Sequence, residues 1–218
     1  MDDLFSDDDR RRIADAIEAA EAATAAEIVP VVVVQSDPYP AARWRGGVLG
    51  ALLVGSVAAL LWTGVAPVLR PYVTPLTVLA AALGVGLVGA VAAGALPPLM
   101  RALTPADEMR RSVYRRAVEA FLNHELFATD DRSGVLLFVS LNEHRIEVLA
   151  DRGIDARVDA SAWTDVTDHI RRGIEEDRLL RGLLDGIERC GAVLEEHGLE
   201  ARPDDEDELA NRLRRGEE

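Results

Sequence analysis

The stretch GGVLGALLVGSVAALLWTGVAPVL (Gly46–Leu69), then Arg70, then PYVTPLTVLAAALGVGLVGAVAAGALPPLM (Pro71–Met100), decides how the remainder of the chain can fold. Each half supplies roughly 20 uncharged, mostly apolar residues, about what a helix needs to cross a hydrocarbon core of roughly 30 Å. A helix buried in a soluble domain would carry a polar face at helical spacing, and neither half does. Two membrane spans are expected, Gly47–Val68 and Pro75–Leu96. The turn between them, Ala66–Pro75, holds three prolines and one arginine, which suits a tight connection. The alternating small residues of AAALGVGLVGAVAAG predict close helix packing, within the hairpin or between copies as a homo-oligomer.

A hairpin returns the chain to the side it left, so residues 1–45 and 101–197 can fold together as one discontinuous domain around the insertion at 46–100. Arg43 and Arg45 precede the first span, Arg101, Arg110, Arg111, Arg115 and Arg116 follow the second, and Arg70 alone sits in the turn. Positive flanks favour the cytoplasmic side. The expected location is the inner (cytoplasmic) membrane, integral, with the soluble domain and both termini in the cytoplasm. The N-terminal MDDLFSDDDRRR has no apolar core of the kind a secretory signal needs.

Setting the hairpin aside leaves roughly 165 residues, enough for one domain with its own core. The net charge of −14 falls on that part and argues against nucleic acid as a partner. One cysteine, Cys190, excludes an internal disulfide and every multi-cysteine metal motif. All positive charge is arginine, so Schiff-base chemistry and a P-loop lysine are excluded.

Along the chain, Ser6 followed by Asp9 marks the start of a helix over about Asp7–Thr24. EIVPVVVVQ (Glu27–Gln35) is a β-branched run that reads as a buried strand, with Pro30 at its first pairs or at a bulge. Thr104-Pro-Ala-Asp-Glu opens a second helix, Thr104 as its N-cap, running to about Phe127 with Val113, Val118, Phe121 and Leu122 inside. GVLLFVSL (Gly134–Leu141) and HRIEVLAD (His144–Asp151) form a hairpin about Asn142-Glu143, the second strand half exposed. Helices near Ser161–Glu176 and Arg178–Glu196 close the domain. From Gly198 to Glu218 an acidic tail has too little apolar content to pack and is expected to be disordered or a frayed helix. The fold class is α/β: a small mixed β-sheet flanked by helices, with a two-helix transmembrane hairpin inserted after the first strand.

The run HELFATDDRSGVLLFVSLNEHRIEVLADRGID (His124–Asp155), the Trp163 helix and GLLDGIERCGAVLEEHG resemble the TPM domain family. That family includes a thylakoid-lumen acid phosphatase implicated in photosystem II repair and many bacterial proteins, and the match is to a bacterial branch with an inserted hairpin. The resemblance implies a TPM-like α/β fold, calcium as cofactor and acid phosphatase activity. The chain departs from lumenal members in its missing signal peptide and its cytoplasmic side.

Topology suggests a site independently. With the first two strands parallel and the third returning, Glu27, Asp130, Asp131, Asp151 and Asp155 converge on one sheet edge. Clustered carboxylates raise one another's pKa, a conflict that a hard cation such as calcium relieves. Alternatively these acids cap helices, fill turns or pair with Arg132 and Arg152. Asp151 and Gly153 fit a turn with glycine at positive φ. His124, His144, His169 and His197 stand at no metal-ligand spacing, Ser133 and Ser140 lie in no nucleophile elbow, and Cys190 reads as core. Arg110, Arg111, Arg115 and Arg116 could contact lipid headgroups or face solvent. The leading expectation is a membrane-held tether or adaptor for an unknown membrane or cytoplasmic protein; the alternative is a metal-assisted phosphatase using Asp131 and Asp151.

Overall fold

A computed structural model describes residues 4–65, 67–129, 131–199 and 213–215. The chain divides into two compact units, Met1–Ser36 with Arg110–Glu218, and Asp37–Met109. The globular unit has a mixed sheet in the order β3-β2-β1-β4, built from β1 (Glu27–Val33), β2 (Gly134–Ser140), β3 (Arg145–Ala150) and the two-residue β4 (Arg214–Arg215). β1 runs parallel to β2 and β4, and β3 is antiparallel to β2. Helices α1 (Asp7–Glu21), α7 (Thr164–Glu175) and α8 (Leu179–Glu196) cover one face, and α5 (Ala106–Asn123) covers the other.

Side-chain alternation makes the two layers. Ile28 and Val32 of β1, with Val135, Leu137 and Val139 of β2, pack against Ile13, Ile17, Ile170 and Ile187. Val29, Val31 and Val33, with Leu136 and Phe138, pack against Val113, Ala117 and Ala120 of α5. Every residue of β1 and β2 is buried because both sheet faces are covered. β3 is half exposed, as its alternating charges predict.

Pro30 sits in the middle of an unbroken β1–β2 register, not at the first pairs or a bulge. In a parallel ladder successive residues bond opposite neighbours. Glu27 N–H donates to Ser133 O on the β2 side, whereas Ile28 N–H turns the other way to Glu21 Oε1 at 2.7 Å. Pro30 shares the direction of Ile28, so its missing donor faces the edge where β4 pairs only with Val31 and Val32.

Other expectations are corrected locally. The β2–β3 loop is Leu141–His144, wider than Asn142-Glu143, and His144 takes φ 51°. A two-residue loop would need positive φ at both central positions, which Asn142-Glu143 does not favour. α5 ends at Asn123, not Phe127; its inner line is Val113, Ala117 and Ala120, while Leu122 is exposed. The Thr104 hydroxyl donates back to Met100 O at 2.8 Å, ending the short α4 (Pro97–Leu103) instead of capping α5. Of the tail expected to be disordered, Leu213–Arg215 is described and contributes β4, Leu199 is buried, and residues 200–212 and 216–218 lie outside the described residues.

The second unit is a helical hairpin. α2 (Pro40–Leu60) continues through a wide turn at Leu61–Val65, and α3 (Pro75–Ala95) begins with Thr74 as its cap. α3 matches its expected span to within a residue. α2 begins earlier than Gly47, because Tyr39 at φ 44° and Pro40 in the first turn start the helix there, and it stops short of Val68. Both helices are long and apolar enough to cross a membrane. Glycines hold them together: a Cβ on Gly46 would lie 2.5 Å from Gly89 O, and one on Gly50 2.7 Å from Val85 O. The small-residue packing expected from the sequence is thus used within the hairpin.

Candidate functional site at the sheet edge

Three segments meet where β1 and β2 begin and β3 ends. Pairing sets Glu27 opposite Gly134 and Val135 opposite Ala150, so Glu27, Gly134 and Asp151 share one row. The Asp151 N–H donates to Gly134 O at 2.9 Å. The topological convergence therefore holds for Glu27, for Asp151 and for the loop that carries Asp131.

Within that row the acids have separate surroundings. Asp151 is almost wholly buried and caps the single turn α6 (Arg152–Asp155): its Oδ1 accepts from Arg152 N–H at 2.7 Å. Its Oδ2 accepts from Arg132 Nη1 at 3.3 Å, and the same nitrogen donates to Phe127 O at 2.8 Å. Glu27 is buried at the first position of β1, whereas Asp131 and Asp155 are exposed. Asp130 lies outside the described residues.

The loop before β2 is clamped by its backbone. Arg132 takes φ 56°, its N–H donates to Thr129 O at 3.1 Å, and its carbonyl accepts from Gly153 N–H at 3.0 Å. Ser133 N–H donates to Thr129 Oγ1 at 2.9 Å. Gly153 does not hold the positive φ expected of it; that conformation belongs to Arg132 on the facing loop. Glycine is required at 153 for another reason. A Cβ there would meet Asp131 O and, at 2.7 Å, Arg132 O.

Electrostatically, Arg132 supplies to Asp151 the countercharge that a divalent cation would otherwise bring. As a calcium cradle the set fits poorly: one carboxylate is already paired, and among the described residues no three His, Cys, Asp or Glu side chains are grouped to hold a metal ion.

A second buried polar group lies at the opposite end of the sheet and escaped the sequence reading. Glu143 is buried; its Oε2 accepts from Ser140 Oγ at 2.6 Å and its Oε1 from Ser36 N–H at 2.9 Å. Ser36 Oγ and Ser140 Oγ are 2.6 Å apart. The Ser140–Glu143 spacing alone reads as a turn, and only the parallel pairing of β1 with β2 brings in Ser36. Ser140 has no exposed surface and Ser133 is buried, so neither hydroxyl can meet a substrate. Cys190 is fully buried and burial pushes its thiol pKa up, which makes it a core side chain.

On α5, Arg110, Arg111 and Arg115 are exposed, while Arg116 is half-buried and pairs with Glu119 at 3.4 Å. His169 lies in mid-helix with Nδ1 2.7 Å from Asp165 O, and His197 Nδ1 is 2.7 Å from Val193 O. An open groove of about 810 Å³ runs past Phe5, Arg12, Leu141, Ile174 and Arg178, and none of the expected carboxylates lines it.

Residues 103–193 match the family model of the TPM domain, a span that contains the β2, β3 and α6 side of this edge and leaves out Glu27 and β1. No curated protein matches the chain. The NMR structure of BA42 protein from the psychrophilic bacterium Bizionia argentinensis is similar with a TM-score of 0.60 at 19% identity, over 99% of this chain and 98% of that one. The chain is therefore similar to TPM domains through α5, β2, β3 and the two final helices, and it shares its fold with BA42.

Proposed function

We propose that this chain is a membrane-anchored TPM-like domain that serves as a tether or adaptor, its hairpin inserted in the cytoplasmic membrane and its globular unit and termini in the cytoplasm. The observation that carries this reading is the exposure of the hairpin. Only 6% and 11% of the most apolar windows of its two helices is buried. Leu52, Leu53, Leu83 and Leu87 all point outward, which water would penalise and lipid would not. Trp44 is exposed near one end of the first helix, and Trp62 with Tyr72 near the other. Trp44 and Trp62 are roughly 27 Å apart along a helix rise, the spacing of two aromatic belts around a hydrocarbon core. Arginines around Arg43 and Arg101–Arg116 favour the cytoplasmic side for the domain.

Calcium binding and metal-assisted phosphoryl transfer have less behind them: Arg132 already pairs with Asp151, and both serines of the β2 segment are buried. The test is alkaline carbonate extraction of the full chain from cells. It is expected to stay in the membrane pellet, and a Leu52→Arg, Leu83→Arg double variant is expected to move to the supernatant. A cysteine placed at Tyr72 should react with an impermeant maleimide from outside the cytoplasmic membrane, and one at Leu122 only after lysis. Wild-type protein recovered in the supernatant would sink the anchor.

A further inference from the structure

The seam between α1 and α8 opens outward as a groove of about 610 Å³, within the globular unit. Gly191 sets its depth: a Cβ there would lie 3.0 Å from the Ala20 Cβ, so the α8 backbone closes directly on that alanine. Ala16, Ala19, Ala23 and Ala192 line the floor, short side chains that leave the space above them unfilled. Along α8 the groove extends from Leu184 to Glu195, roughly 16 Å or about three turns. Its walls are acidic, with Asp15 on α1 and Glu188 and Glu195 on α8, all three exposed. Among the described residues none of these three carboxylates makes a hydrogen bond or an ion pair. The wider groove past Phe5 and Leu141, which shares Arg12 and Leu184 with this one, differs. There Arg178 pairs with Glu176, and Arg181 with Asp185 at 3.7 Å. The charge left unmatched along the seam is thus mainly negative, with Arg12 at the end where the two grooves join.

From this we infer that the seam receives an amphipathic helix of a partner protein, with large aliphatic side chains over the alanines and Lys or Arg beside Asp15, Glu188 and Glu195. The inference rests on the reading of the chain as a tether or adaptor, and it names the chemistry of what would be held. Three features select this occupant. An elongated groove between two helices, floored by small side chains, suits the apolar stripe of a third helix. Glu188 and Glu195 stand two turns apart on α8, roughly 10 Å, too far to share one metal ion but matched to cationic side chains two turns apart on a partner. The same acids repel anionic headgroups and phosphates, which sets aside a lipid surface and nucleic acid.

The experiment uses the full chain in phosphatidylcholine nanodiscs and a fluorescein-labelled peptide of leucines at helical spacing flanked by lysines. A peptide with glutamate in place of lysine is the control, and anisotropy is read against empty discs. The expected result is saturable binding of the lysine peptide and not of its control, weakened about tenfold by Asp15→Asn, Glu188→Gln, Glu195→Gln and progressively by salt. Ala19→Trp, which fills the floor at an exposed position, should abolish it. A triple variant of equal charge change at exposed positions outside the groove, Glu125→Gln, Asp159→Asn, Glu175→Gln, should bind as the wild type does. Equal weakening by the two triple variants would reduce the effect to overall charge and overturn the inference, as would a wild type that binds neither peptide. Two chains per disc, parted by Ala19→Trp, would give the seam to a second copy and overturn the partner helix. A chain that fails to co-elute with the discs overturns the anchor, and with it the tether reading on which the inference rests.

Discussion

Gly153 is where the sheet edge is most sensitive to a single atom. Its amide donates to Arg132 O, and its missing Cβ leaves room for the carbonyl oxygens of Asp131 and Arg132. Gly153→Ala should force the two loops apart and cost about 1–3 kcal/mol, read as a lowered midpoint in urea. Unchanged stability would mean the clamp is slack. Glu147 presents the opposite case, a group whose environment works against it. Burial beside α5 pushes its carboxyl pKa up, and Arg145 and Arg110 offset this only in part. A carboxyl raised on folding contributes stability that is fully present below its unfolded pKa and is lost as pH rises through the folded value. Ionised Glu147 therefore costs stability at neutral pH. Glu147→Gln is expected to raise Tm at pH 7, and the gain should vanish as pH falls below the ordinary glutamate range. A gain that persists at low pH would assign the effect to packing.

Among the elements, the hairpin helices depend on backbone contact. Gly46, Gly50, Gly86 and Gly89 leave no space for a side chain between α2 and α3, while Gly55 and Gly84 face open space. Replacing Gly89 by leucine should therefore separate the helices at a cost of about 1–3 kcal/mol. The same change at Gly84 should be neutral or favourable, since leucine exceeds glycine in helix propensity by roughly 0.8 kcal/mol. Fluorescence transfer between labels on the two helices in detergent would distinguish them, and equal effects would contradict the packing. The same device joins α7 to α8, where Cβ atoms on Gly173 and Gly182 would lie 2.6 and 2.7 Å from the facing Cα.

For the whole molecule, the division into two units makes a strong demand. Neither core cluster of the globular unit contains a residue between Asp37 and Met109. Replacing that segment with a short flexible linker should leave a soluble domain that unfolds cooperatively without detergent. Loss of its cooperative transition would mean the hairpin contributes to the fold of the globular unit beyond the anchoring role proposed for it. Calcium titrated into the same domain separates the proposed tether from the cation reading: saturable binding lost in Asp131→Asn, Asp151→Asn would favour the cation.

Some of this was legible in the residues because it depends only on local pattern. Two long runs without a polar face announce apolar helices. β-branched alternation in Glu27–Val33 and Gly134–Ser140 announces covered strands, and connection length makes the first pair parallel. Those rules suffice to bring Glu27 and Asp151 to one end of the sheet. Partners are another matter, because they lie far apart in the chain. That Arg132 turns to Asp151, that Gly153 is needed for close approach and not for a left-handed turn, and that Ser36 closes on Glu143 follow from register and loop path. Leu122 carries the same lesson: its apolar side chain says bury me, and only the rotation of α5 on the sheet puts it outside. By itself the sequence determined the α/β class, the hairpin and the end of the sheet where the acids gather, since hydrophobic period and chain connectivity are one-dimensional. Only tertiary structure decided which charge neutralises which and which face stays open, because both depend on distances that no local spacing encodes.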